Sequence, residues 1–157
     1  MRARIHEADF DARDLSDFLA AHLADIAPTG PVDSQHALGI AALRGPGVRM
    51  WVARDPSDAL VGTVALVPVS DRHEEIKSMR TAPASRGLGI GRALLLHALA
   101  DAGARGVRTV SLETGSVDFF APARGLYRAV GFIECGPFGA YLPDPNSIFM
   151  TMELAAT

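Results

Sequence analysis

The chain has a single cysteine, no long apolar run and no excess of positive charge, and each absence argues against a class of protein. Cys135 cannot form an internal disulfide, so nothing in the sequence points to secretion. No stretch approaches the roughly 20 apolar residues of a membrane span, and the N-terminal residues have no apolar signal core. A net charge of −3 gives no reason to expect nucleic-acid binding. The expected location is the cytoplasm.

Length and composition predict one soluble domain over residues 1–157. A chain of this size buries about 70% of the surface that its unfolded form exposes. Its hydrophobic content of 48% and charged content of 21% are ordinary for a globular protein. The sequence has no internal repeat and no low-complexity segment.

The spacing of apolar and turn residues predicts the order β-α-α-β-β-β-α-β-α-β-β. The first helix is expected to end near Ile26, and Ser34 is the expected cap of a short second helix that ends at Leu43. A strand, a helix and a strand between Glu75 and Glu113 predict a parallel βαβ crossover. A hairpin before it predicts antiparallel pairing. The expected fold class is α/β, with a mixed sheet and helices on both faces.

The stretch from Glu75 to Arg92 organises the rest of the chain. It predicts a strand that ends before Pro83, then a glycine-rich loop, then the start of a helix. A glycine loop that opens a helix exposes backbone N–H groups without intrahelical partners, at the positive end of the helix dipole. The stretch therefore predicts an anion site, and phosphate is the usual anion.

Two common phosphate loops fit this stretch poorly. A Walker loop needs Lys-Ser/Thr after its last glycine, and Arg92-Ala93 stands there, so that interpretation fails. A Rossmann fingerprint counted from Gly87 needs a third glycine where Arg92 stands. The Rossmann interpretation is weak but stays open, because Glu113 follows at about the expected 20 residues.

A third interpretation is a resemblance. The pattern Arg86-x-x-Gly89-x-Gly91 resembles the acyl-CoA pyrophosphate loop of the GNAT family of N-acetyltransferases. Residues 75–83 resemble the fourth strand of that family, and residues 123–132 resemble its Ala-x-x-Leu-Tyr-x-x-x-Gly-Phe signature. Two motifs in the right order are more specific than a lone glycine loop. The resemblance covers residues 48–154 well, and the first 45 residues match only in the order of elements, so it implies the GNAT fold.

The resemblance implies acetyl-CoA as cosubstrate, with no metal. Backbone groups of Met79 and Thr81 would pair with the pantetheine arm, and residues 86–92 would hold the pyrophosphate. Glycine at three loop positions would let the phosphate approach the amides closely. The implied cofactor-binding residues are Met79, Arg80, Thr81, Arg86, Gly87, Leu88, Gly89, Ile90, Gly91 and Arg92.

Two catalytic residues are implied as well. Tyr127 occupies the position of the family's general acid, which would assist the leaving thiolate. Glu75 occupies a strand position where some members carry a glutamate that removes the proton of the amine. Strand alternation predicts that Glu75, Lys77 and Met79 share one face, so Lys77 is expected to lower the pKa of Glu75. Phe120 stands where many members have Asn, so a cofactor contact there is lost or made by backbone.

His36, Glu113 and Tyr141 are the candidate substrate contacts. The expected acceptor is the primary amine of a small molecule, an amino acid or a peptide, with no nucleic-acid or membrane partner. The sequence does not fix the oligomeric state, and a homodimer is the candidate assembly. Two rival functions stay open: a non-catalytic CoA-sensing module of the same fold, and a nucleotide-dependent oxidoreductase, which the glycine spacing disfavours.

Overall fold

The computed structural model describes residues 2–155 as a mixed sheet with helices on both faces. The strands are β1 (Arg4–Glu7), β2 (Arg49–Arg54), β3 (Leu60–Ser70), β4 (His73–Thr81), β5 (Thr109–Gly115), β6 (Ile133–Cys135) and β7 (Ser147–Glu153). The helices are α1 (Arg13–Ile26), α2 (Ile40–Leu43), α3 (Ile90–Ala104) and α4 (Ala121–Val130), with four short 3-10 turns between them. The predicted order of elements is confirmed.

The seven strands lie in the order β1-β2-β3-β4-β5-β7-β6. Only β4 and β5 pair in parallel, and α3 connects them as the crossover that the sequence predicts. Every other pair is antiparallel, so the predicted α/β class with a mixed sheet is confirmed. Among residues 2–155, no helix combines the length and the apolar character that crossing a membrane requires.

Each face of the sheet has its own core. The buried apolar face of α3 packs on one side against β3, β4 and β5, with α4 beside it. On the other side α1 and α2 pack on β2 and β3 through Leu15, Leu19, Leu43, Met50, Val52 and Ala65. The sheet is thus fixed from both sides, and β4 and β5 lie at its centre.

The predicted second helix is largely wrong, because only its last turn forms, at Ile40–Leu43. The amide of Gln35 donates to the carbonyls of Ala27 and Gly30 at 2.8 Å each, so it closes the end of α1. Gly39 is extended at the start of the turn, with φ −79° and ψ 172°. Residues 35–39 therefore form an irregular segment beside the middle of the sheet.

A β-bulge at Ser78 contradicts the prediction that Glu75, Lys77 and Met79 share one face. Ser78 has φ +51°, its carbonyl accepts a hydrogen bond of 2.7 Å from the Thr63 hydroxyl, and the β3–β4 register shifts there. An extra residue reverses the alternation of side chains. Lys77 consequently lies on the α1 face, whereas Met79 packs with the core on the α3 face.

Candidate active site

The two central strands separate halfway along their length. The parallel pairing of β4 with β5 covers only residues 73–76 and 109–112, although both strands continue beyond it. Strands that part in this way leave backbone N–H and C=O groups facing the gap. The gap is lined by Lys77, Ser78 and Met79 from β4 and by Glu113, Thr114 and Gly115 from β5. This opening at the centre of the sheet is the candidate active site.

The glycine loop enters α3 in a conformation that favours glycine. Gly87 has φ +79°, and Gly89, the N-cap of α3, has φ +82° with no side-chain cap. The first backbone hydrogen bond of the helix runs from the Ala93 N–H to the Gly89 carbonyl, at 3.0 Å. The N–H groups before Ala93 in α3 thus have no intrahelical acceptor, which makes the loop suitable for an anion.

The third glycine of the loop is required by packing. A Cβ at Gly91 would lie 3.3 Å from the Thr81 hydroxyl and 3.4 Å from a methyl of Leu126. The first turn of α3 therefore lies close to the end of β4 and to α4. Close packing at Gly91 and positive φ at Gly87 and Gly89 are two reasons for glycine that do not depend on a ligand.

A groove of about 420 Å³, here called the glycine-loop groove, runs along this turn. Every predicted cofactor-binding residue except Leu88 lines it, and the Leu88 side chain is 46% exposed. The side chain of Arg80 turns to the other face, where its guanidinium pairs with Asp25 at 2.6 Å and lies over Phe18. The opposite wall is apolar and consists of Phe119, Phe120, Pro122, Ala123 and Leu126.

A second cavity of about 120 Å³, here called the inner pocket, opens from the gap between β4 and β5. Polar side chains from distant parts of the chain line it, namely Thr29, Ser34, Gln35, His36, Glu113 and Asn146. It shares a wall with the glycine-loop groove, formed by His22, Met79, Phe120, Ala123 and Tyr127. A molecule held in the groove therefore has a direct route into the inner pocket.

Tyr127 lies at this junction, on α4. Its side chain is buried, and its ring packs edge-on against Phe132 with centroids 5.9 Å apart. Burial raises the pKa of the Tyr127 hydroxyl well above its usual range, and the negative charge of Glu113 adds to the rise. The hydroxyl therefore stays protonated at neutral pH, and it is a hydrogen-bond donor.

Glu75 belongs to a cluster of four residues beside the inner pocket. The Tyr141 hydroxyl donates to Glu75 Oε2 at 2.5 Å, and the Lys77 ammonium lies 3.3 Å from the same oxygen. Lys77 also donates to the Tyr141 hydroxyl and to the His36 carbonyl. Burial and the hydrogen bond to Glu75 raise the pKa of Tyr141. Glu75 and Tyr141 face a neighbouring cavity of about 660 Å³ and do not line the inner pocket.

Glu113 differs from the other carboxylates at the centre of the sheet. It is half-buried on β5, lines the inner pocket and pairs with no cationic side chain among residues 2–155. Burial raises the pKa of its carboxyl, the nearby Ser147 hydroxyl opposes the rise, and the charges around it nearly balance. Sequence reasoning placed Glu113 beside the cleft, and the structure puts it in the same pocket as Tyr127.

Sequence reasoning missed His22 entirely. His22 lines both the groove and the inner pocket, and burial, with the positive charge of Arg80, lowers its pKa to about 4. The signal was the apolar stripe of α1, since His22 falls at helical spacing with Leu19 and Ile26 on the face toward the sheet. Among residues 2–155, no three His, Cys, Asp or Glu side chains converge to hold a metal ion.

Comparison with known proteins agrees with this geometry. Residues 13–132 match the acetyltransferase (GNAT) family. The chain is 42% identical to the uncharacterised N-acetyltransferase YsnE of Bacillus subtilis over 93% of this chain and 96% of that protein. It is 40% identical to an IAA acetyltransferase of Azospirillum brasilense, over 79% and 80% of the two chains.

The fold has close structural neighbours. A GNAT-family acetyltransferase from Staphylococcus aureus superposes with a TM-score of 0.77 over 98% of this chain and 100% of that one. Its sequence is 21% identical, so this likeness concerns the fold. Family match, relatives and fold agree with the split sheet and the glycine loop. The chain belongs to the acetyltransferase (GNAT) family and is an N-acetyltransferase.

Proposed function

We propose that this enzyme transfers the acetyl group of acetyl-CoA to the primary amine of a small molecule, an amino acid or a peptide. The observation that carries the proposal is the shared wall between the glycine-loop groove and the inner pocket, with Tyr127 at the junction. The groove suits a long phosphorylated molecule, and the pocket suits a small polar one. A reaction between the two would take place beside Tyr127.

The groove residues fit acetyl-CoA, which supplies an activated acetyl thioester. The free N–H groups at the start of α3 would bind the diphosphate, and the exposed Arg86 and Arg92 add positive charge there. The open edge of β4 at Met79 and Thr81 offers backbone groups to an extended pantetheine arm. These contacts would direct the acetyl end toward the inner pocket.

Direct attack by the amine forms a bond from nitrogen to the acetyl carbon, and the carbon–sulfur bond breaks with its electron pair on sulfur. Backbone N–H near Met79 would stabilise the negative charge that develops on the acetyl oxygen. The hydroxyl of Tyr127 would donate a hydrogen bond to the leaving sulfur. Because burial raises its pKa, full proton transfer to a thiolate with pKa about 8.5 is unfavourable, and hydrogen bonding is the main contribution.

The amine must also lose a proton before it attacks. An alkyl amine with a pKa of about 10.4 is almost entirely ammonium at pH 7, so a base is needed. Glu75 is the candidate base from the sequence, and Lys77 and Tyr141 separate it from the inner pocket. A proton would reach Glu75 through the Tyr141 hydroxyl or through a chain of water molecules.

Thermal shift with acetyl-CoA, CoA, NAD and ATP, followed by thiol release with a panel of amines, tests the proposal. We expect stabilisation by both CoA forms and thiol release with at least one amine. Stabilisation by NAD or ATP, with no effect of either CoA form, would overturn the assignment of the groove. Binding of acetyl-CoA without thiol release for any amine would favour a CoA-sensing module.

A further inference from the structure

The charges around the inner pocket leave one group without a partner. Lys77 has three N–H donors, and three oxygens surround its ammonium, from Tyr141 at 2.6 Å, His36 at 2.9 Å and Glu75 at 3.3 Å. The ammonium is therefore fully coordinated, and the Glu75 carboxylate balances its charge. Neither group is left to bind a charged acceptor.

The histidines at the pocket do not supply the missing positive charge. His22 has a pKa lowered to about 4, so its imidazole is neutral near pH 7. The carbonyl of His36 is engaged by Lys77, and its ring packs edge-on against Tyr141 at 4.9 Å. Glu113 is thus the one carboxylate of the inner pocket without a cationic partner in residues 2–155.

We propose that Glu113 receives the ammonium of the acceptor in the inner pocket and removes its proton, so that the neutral amine can attack. This inference rests on the proposed function and deepens it. The proton passes from nitrogen to the Glu113 carboxylate, nitrogen bonds to the acetyl carbon, and sulfur leaves with its electron pair next to the Tyr127 hydroxyl. Glu75 then acts as a positioning residue, which holds Lys77 and Tyr141 in place.

The assignment also defines the class of acceptor. A buried unpaired carboxylate favours a cation and repels an anion, and the cavity of about 120 Å³ admits only a small group. The polar side chains of Ser34, Gln35 and Asn146 on its far wall suit hydrogen-bonding groups close to the amine. The acceptor class is therefore a small primary amine, or a slender amine-bearing end of a larger molecule, that is cationic at neutral pH.

The test uses CoA itself as the anchor, so it does not require the acceptor to be known. S-(2-aminoethyl)-CoA carries an ammonium beyond the sulfur, and S-propyl-CoA is its uncharged counterpart of nearly the same shape. Calorimetry gives the affinity of both thioethers for the wild type, Glu113→Gln and Glu75→Gln. Longer aminopropyl and butyl thioethers repeat the comparison at greater reach.

We expect the wild type to prefer an amino thioether by about tenfold, as for a hydrogen bond to a charged group. Glu113→Gln should abolish this preference and leave the affinity for S-propyl-CoA unchanged, which also shows that the variant is folded. Glu75→Gln should keep the preference, and Glu113→Ala is a second charge-free variant. A preference that survives in both Glu113 variants, or that is absent from the wild type, overturns the inference. Failure of every thioether to bind overturns the proposed function instead.

Discussion

The glycine-loop groove and the inner pocket share a wall, yet different parts of the chain build them. The groove takes its polar groups from the main chain around α3, within a short stretch of sequence. The pocket takes its polar groups from side chains on α1, on the segment after it, on β4 and β5, and from Asn146. Substitutions should therefore alter the groove through backbone conformation and the pocket through charge and shape.

Tyr127→Phe tests the boundary between the two regions and should have the largest effect. Removal of the hydroxyl takes away the donor to the leaving sulfur, and we expect turnover to fall by about 100-fold. The affinity for acetyl-CoA should change little, because the ring remains in its buried site. Steady-state kinetics and calorimetry measure both quantities. Unchanged turnover would remove Tyr127 from the mechanism.

Glu113→Gln and Glu75→Gln separate the two carboxylates. Because burial raises the pKa of Glu113, wild-type kcat/KM should rise with pH as that carboxyl ionises. Glu113→Gln should lose roughly 50-fold at neutral pH and recover near pH 9, where more free amine is present. Glu75→Gln should lose less and show no recovery. Recovery of Glu75→Gln alone would return the role of base to Glu75.

Gly115→Ala should disturb the pocket more than the groove. A Cβ at this position would lie 2.2 Å from the ring of Phe120, which forms part of the shared wall. We expect a loss of about 2 kcal/mol in the free energy of unfolding, and a higher KM for the amine. The double variant with Phe120→Leu removes the clash, so its urea-unfolding free energy should recover. No loss in Gly115→Ala would mean that the ring moves freely.

Gly89→Ala should act on the groove alone. Its φ of +82° costs an alanine about 1 kcal/mol, and movement of the loop should weaken acetyl-CoA binding several-fold. Gly125 on the exposed side of α4 is the matched control, since a Cβ there meets no atom within 4 Å. Gly125→Ala should stabilise the fold by about 0.5–1 kcal/mol and leave binding unchanged. Equal effects of both substitutions on binding would contradict a special role of the loop.

His22→Gln should have the smallest effect, and only in acid. The unfolded chain protonates His22 near pH 6.5, whereas the folded chain does so only near pH 4, so wild-type stability falls as pH drops through that window. The share due to His22 between about pH 6.5 and pH 5 is under roughly 1 kcal/mol. Urea unfolding at both pH values should show less acid sensitivity in the variant. Identical sensitivity would mean that His22 is not buried in its neutral form.

The groove could be predicted from the sequence because its conformation is encoded locally. Glycines at 87 and 89 supply the positive φ that the loop needs, and Pro83 marks the end of the strand before it. Turn residues and helix formers report such features directly. Nearly all of the predicted cofactor-binding residues accordingly line the groove.

The inner pocket could not be predicted, because residues far apart in sequence build it. The Asn146 amide donates to the Ser34 hydroxyl at 3.3 Å across a separation of 112 residues. His22 came from an apolar stripe that looked like core alone. The bulge was also hidden, since Ser78 gives no sign in the sequence of a positive φ. Tertiary packing decided each of these features.

The bulge at Ser78 makes β4 a strand that changes sides midway. Lys77 before it serves one layer of the protein, and Met79 after it serves the other, so a single segment supplies both partners of the reaction. Deleting this one amino acid would rotate every later side chain of the strand by half a turn and exchange the two layers. Engineered or natural variants of this enzyme should therefore tolerate replacement at position 78 far better than any change in strand length.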